Sequence, residues 1–176
     1  MTYPTFTNGQ VLPASDLNAI GLWLVKSQAV GSGVSSVTLT GAFSTDYTSY
    51  KIVYSGGTAS TNTQIGLKLG ATATGYYGGL IYNNVASPTP AGIADNNATS
   101  FSYSCGGNAI YALANLDIHN PFLATYTMVN SINMSAINFG TYSGYLANTT
   151  SYTDFTLTPA SGTLTGGTVC VYGYRK

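Results

Sequence analysis

From Val37 to Tyr174 apolar and aromatic residues recur at every second position in short runs, and Gly, Asn, Ser and Pro separate the runs. This period-two pattern constrains the fold more than any other feature. Successive side chains of a strand point to opposite faces, so alternation marks a half-buried strand and excludes an amphipathic helix. In "SYKIVYS" Tyr50, Ile52 and Tyr54 fall on one face, and in "YTDFTLT" Phe155 and Leu157 oppose Thr156 and Thr158. The same reading gives strands in "SVTLTGAF", "QIGLKLG", "GGLIYNN", "SFSYSC", "AIYALANLDI", "TYTMVNSINM", "INFGTYSGY" and "TVCVYGY". Ten short strands with frequent turns predict an all-β fold, an antiparallel β-sandwich of jelly-roll-like type. Residues 83–99, polar and containing Pro88 and Pro90, read as the longest loop and as the exposed, functional one.

The N-terminal stretch reads differently. In "SDLNAIGLWLVKSQAV" Ser15 or Asp16 is a capping residue, and Leu17, Ile20 and Leu24 form one stripe with Trp23 beside it. The expectation is one short helix over about residues 15–29, followed by a hinge in "VGSGVSS". An isolated helix of this length is marginal in water, so it needs a packing partner. The chain thus divides into an attachment or oligomerisation segment, 1–33, and a β-sandwich domain, 34–176. Met1 and the "GYRK" end read as those of a complete chain.

Charge narrows the function. Five basic and five acidic residues give 6% charged side chains and no net charge in 176 residues, where soluble domains carry about 25%. Nucleic-acid binding needs clustered Lys and Arg, and Lys26, Lys51 and Lys68 are scattered. No apolar run reaches the roughly 18 residues of a membrane helix, so no membrane insertion is expected. A charge-poor chain tends to associate, which points to life in an assembly.

No catalytic pattern appears. Nucleophile-elbow, phosphate-loop and dinucleotide motifs are absent, and the chain has no Glu. His119, in "DIHNP", reads as a hydrogen-bonded residue at a strand end. The chain is therefore read as a non-enzyme without cofactor or metal. Asp95, Asn96 and Asn97 offer oxygen ligands suited to Ca²⁺, but with one carboxylate they read as an Asx-rich turn. Cys105 and Cys170 read as free thiols in strands. The fifteen tyrosines are more informative. Tyr buries a large ring and keeps a hydroxyl for a partner, which suits interfaces and the stacking of sugar rings. Tyr76, Tyr77 and Tyr145, with Asp95 and Asn96 of the predicted loop, are the candidate receptor contacts.

"FTNGQVLPASDLNAIG" resembles an N-terminal segment recurrent in bacteriophage tail and tail-fibre proteins, roughly F-x-x-G-x-x-L-x-A-x-x-L-N, matched by Phe6, Gly9, Leu12, Ala14, Leu17 and Asn18. "YTSYKIVYSG" and "GGTVCVYGYRK" are similar to parts of phage jelly-roll domains. The resemblance implies a virion structural protein, a short tail fibre or baseplate-associated knob. It would attach through Phe6, Leu12, Leu17, Ile20, Trp23 and Leu24, assemble as a homotrimer with other virion proteins, and present distal loops to a host surface glycan. A capsid decoration protein or head fibre, and a carbohydrate-binding module, are the alternatives.

Overall fold

The structure, a computed structural model, describes residues 8, 9, 11, 21–135 and 137–174. Among the described residues every regular element is a strand and every pairing is antiparallel. In chain order they are β1 (Leu22–Ala29), β2 (Val37–Leu39), β3 (Ser49–Ala59), β4 (Thr63–Leu69), β5 (Tyr76–Asn84), β6 (Ser87–Ala98), β7 (Phe101–Gly107), β8 (Ala112–His119), β9 (Thr127–Met134), β10 (Asn138–Leu146), β11 (Phe155–Pro159), β12 (Leu164–Thr165) and β13 (Thr168–Tyr174).

The hydrogen-bonded sheet has two limbs. One runs β1-β13-β3-β8-β9-β10-β5-β6 and the other β2-β11-β4-β7. They join at β8. Its Ala112 and Leu113 pair with Gly107 and Gly106 of β7, and its Leu116–His119 stretch pairs with β9. The limbs close on each other in a sandwich-like fold, and the alternation read from the sequence supplies both inner faces. Tyr50, Ile52, Leu116, Ile118, Tyr142 and Val171 from the first limb meet Ile65, Leu67, Leu69, Phe101, Phe155 and Leu157 from the second. Phe43 stacks on Phe155 with ring centroids 5.6 Å apart and meets the edge of Tyr50 at 4.9 Å. Phe101 packs edge-on against Tyr76 at 4.9 Å and Tyr142 at 6.3 Å. Edge-to-face pairs put the positive ring edge on the negative ring face, which adds to the burial of apolar area.

All ten strands expected from alternation are present. The predicted helix is corrected where the structure describes it. Residues 22–29 form β1, an edge strand paired with β13 from Leu22↔Tyr174 to Ala29↔Thr168, with a bulge between Leu24 and Lys26. "LWLV" is a continuous apolar run, which periodicity cannot assign to helix or strand, and the open edge of β13 decided it. Phe6, Leu12, Leu17 and Ile20 lie outside the described residues. The stretch expected as a hinge is hydrogen-bonded to the rest of the sheet. Val30 is buried and its N–H donates to Gly167 O, and Val34 and Leu164 exchange backbone hydrogen bonds.

The expected loop over residues 83–99 is instead most of a hairpin. Chain direction reverses at Val85 and Ala86, and β6 returns along β5 as the last strand of its limb. An edge strand tolerates Pro90 because its missing N–H need not join a ladder. Apart from Asp95, the polar side chains of β6 are exposed, so the segment lacks the alternation of a covered strand.

Candidate functional site

β9 alternates strictly. Thr127, Val129, Ser131 and Asn133 are buried, and Met128, Asn130, Ile132 and Met134 face out. β10 continues the outer surface with Phe139, Thr141, Ser143 and Tyr145. Register pairs these as Phe139↔Met134, Thr141↔Ile132, Ser143↔Asn130 and Tyr145↔Met128. On the other side of β10, Tyr145 lies opposite Tyr77 and Thr141 opposite Ile81. An outer sheet face is ordinarily polar. This one carries exposed Met, Ile, Phe and Tyr side chains, the mark of a surface that meets a partner.

Three tyrosines form a row at one end. Tyr77 and Tyr145 stack with centroids 5.4 Å apart and planes 20° from parallel. Tyr126, just before β9, stacks on the other side of Tyr145 at 6.0 Å with planes 4° apart. Tyr126 and Tyr145 of the row border an open cleft of about 630 Å³. Gly78, Gly79 and Gly144 line it without side chains, while Met128, Asn130 and Ser143 complete its border. Gly79 leaves the surface low for a simple reason: a Cβ there would meet only Ile93 O, at 3.9 Å. The arrangement offers aromatic surface beside polar groups and no charged side chain, which suits a ligand with an apolar face and hydroxyl edges.

The structure brings together Tyr77 and Tyr145 of the expected contacts. Asn96 is exposed on β6. Two others are corrected. Tyr76 is fully buried, and its hydroxyl accepts from Leu69 N–H at 2.9 Å, so it ties β5 to the second limb. Burial pushes its phenol above the usual tyrosine range. Asp95 is also buried, accepting from Tyr142 Oη at 2.7 Å and Ser102 N–H at 2.8 Å. Asn97, with φ of 53°, accepts from Gly75 N–H instead of joining Asp95 in an ion site. Of the expected attachment residues, Trp23 is 37% and Leu24 57% exposed on β1.

His119 Nδ1 lies 3.0 Å from Ser49 Oγ across the β3–β8 pair. Cys105 is buried and Cys170 half-buried, both as free thiols on different limbs, and burial pushes the Cys105 thiol up to about 12. Sequence reasoning missed Tyr126, Met128, Asn130 and Ser143. The available signal was the apolar residues on the second phase of the β9 alternation.

No family model and no curated protein matches the sequence. Among solved structures, the chain is similar to part of the tripod (BppUct-A-L) from the baseplate of bacteriophage Tuc2009. The TM-score is 0.27 at 12% identity, covering 100% of this chain and 75% of that one. It is also similar to a chain solved in work on CBM4 structure and function. There the TM-score is 0.23 at 13% identity, covering 80% and 82%. At these scores neither likeness assigns a role to this chain.

Proposed function

We propose that this chain is a structural protein of a bacteriophage particle, a short tail fibre or baseplate-associated knob that touches a host surface glycan. The particle half of the reading rests on the resemblance of "FTNGQVLPASDLN" to tail and tail-fibre segments. Attachment runs through that segment and the exposed Trp23 and Leu24 of β1, and the chain acts as a homotrimer without catalysis or cofactor. The host-contact half rests on one observation, the stacked Tyr145 and Tyr126 on an open, uncharged cleft, with Tyr77 packed behind Tyr145. Both faces of Tyr145 are taken by its neighbours, so the C–H face of a pyranose packs on Tyr126, which Tyr145 backs, and its hydroxyls meet Asn130 and Ser143.

The same row would serve a free carbohydrate-binding module, and one experiment separates the readings. Gold-labelled antibody against this chain is applied to particles of the phage that encodes it. Label on the tail tip supports the fibre or knob. Label over the capsid points to a decoration protein or head fibre. Unlabelled particles, with the protein present in the lysate, overturn the virion reading.

A further inference from the structure

The tyrosine cleft does not end at the polar residues that border it. Ser143 Oγ donates to Asn130 Oδ1 at 2.9 Å, and both residues also line a second cleft of about 350 Å³ on the same sheet face. That cleft carries Lys51, Asn115, Asp117 and Ser131. Lys51 Nζ lies 3.3 and 3.4 Å from the two Asp117 oxygens. Tyr174 also donates to Asp117, and burial beside that carboxylate raises its phenol to about 12. Asn115 Oδ1, on the same phase of β8 as Asp117, is buried with no hydrogen-bond partner. Buried polar groups are nearly always satisfied, so this orphan at the cleft marks where a ligand hydroxyl fits.

We infer that the two clefts form one groove that binds a neutral oligosaccharide of at least two rings. One ring lies on the tyrosine row, and the next is held by the Lys51–Asp117 pair with Asn115. The inference rests on the glycan-contact reading above and adds length and charge to it. From Tyr145 to Thr141 along β10 is four residues, about 14 Å at roughly 3.4 Å per residue, which exceeds one hexose ring. Lys51 and Asp117 are the charged residues lining the two clefts, and they compensate each other. A sialylated, uronic or phosphorylated glycan would bring a charge that meets no free counter-charge. A neutral sugar loses nothing there, because Lys51 donates to its hydroxyl oxygens and Asp117 accepts from its hydroxyl protons.

The full chain is tested on an array of neutral and acidic oligosaccharides of one to six rings, followed by calorimetry on the best neutral series. The expected result is a disaccharide or trisaccharide that binds about tenfold or more tightly than its monosaccharide. Asp117→Asn removes that length gain and leaves the monosaccharide affinity unchanged. Tyr145→Ala weakens both. Lys51→Met replaces Asp117→Asn if the latter lowers the melting temperature. Binding that depends on Tyr145 but shows no length gain, or keeps the gain in both variants, overturns the groove and leaves the glycan contact standing. A preference for acidic glycans likewise overturns it. No binding across the array overturns both, while particle labelling still decides the virion role.

Discussion

Tyr142 Oη donates a 2.7 Å hydrogen bond to Oδ2 of Asp95, a buried carboxylate in a chain with five acidic residues. The same oxygen accepts from Ser102 N–H. The bond joins β10 to β6 across β5, behind the outer face that carries Tyr145, so it helps fix the tyrosine row in place. Removing one partner of a buried, hydrogen-bonded charge costs more than the bond itself, because the remaining group stays desolvated. Tyr142→Phe is expected to lower stability by about 2–3 kcal/mol in urea unfolding. Asp95→Asn keeps an acceptor and should cost less. A Tyr142→Phe protein as stable as the parent would mean that Asp95 is not held in this way.

Burial also sets the response to alkali. Tyr50, Tyr54, Tyr76 and Tyr142 have phenols pushed up chiefly by desolvation, and Tyr174 is raised to about 12. A phenol that holds its proton more tightly when folded contributes stability below the unfolded value of about 10. That contribution is lost as pH rises from there through the folded value. The melting temperature should therefore stay level with respect to tyrosine up to about pH 9 and then fall steeply. The share of the tyrosinate ultraviolet band that belongs to the buried rings should appear only with unfolding. A tyrosinate titration that runs to completion without loss of structure would contradict this packing.

Much of this architecture was legible because it follows from local alternation. Tyr50, Ile52 and Tyr54 share a face in sequence and in the core, and so do Phe155 and Leu157. What escaped depends on pairing between distant segments. β1 is a strand because β13, about 145 residues later, offers it an open edge, and nothing within "LWLVKSQA" encodes that. β6 hides for the opposite reason: an edge strand needs few apolar residues, so its polar composition looks like a loop. Tyr77 and Tyr145 could be named as candidates from residue type. Their direct opposition, and the arrival of Tyr126 beside them, required the β5–β10–β9 register. Tyr76 failed as a candidate because one step along a strand reverses the face.

The ordered β1 changes what an N-terminal deletion will show. A chain starting at Gly21 keeps the β1–β13 ladder and should fold with near-parental stability. A chain starting at Gly31 loses the ladder and the buried Val30, worth about 1.5–3 kcal/mol for a fully buried aliphatic side chain. It also exposes the β13 edge, a template for pairing with another chain. The second chain should melt earlier and elute as aggregate in size-exclusion chromatography. Equal behaviour of the two would show that β1 contributes nothing to the sheet.

Adjacent glycines in the tyrosine cleft should respond in opposite ways. A Cβ at Gly78 would lie 2.3 Å from Tyr142 Oη and 2.9 Å from Ser143 O, so it must displace the hydroxyl that holds Asp95. Gly78→Ala is expected to cost about 1–3 kcal/mol, as overpacking does. At Gly79 the same atom meets only Ile93 O, at 3.9 Å, and the strand points it toward solvent. Gly79→Ala should change stability by less than about 0.5 kcal/mol. Gly79→Leu should also fold, because the added atoms enter the open cleft beside Tyr145. That variant separates surface function from packing: it leaves every tyrosine in place yet fills the space where a sugar ring would lie. The expected outcome is parental melting with loss of binding to the glycan that the parent selects. Undiminished binding would show that the sugar does not occupy the cleft at Gly79.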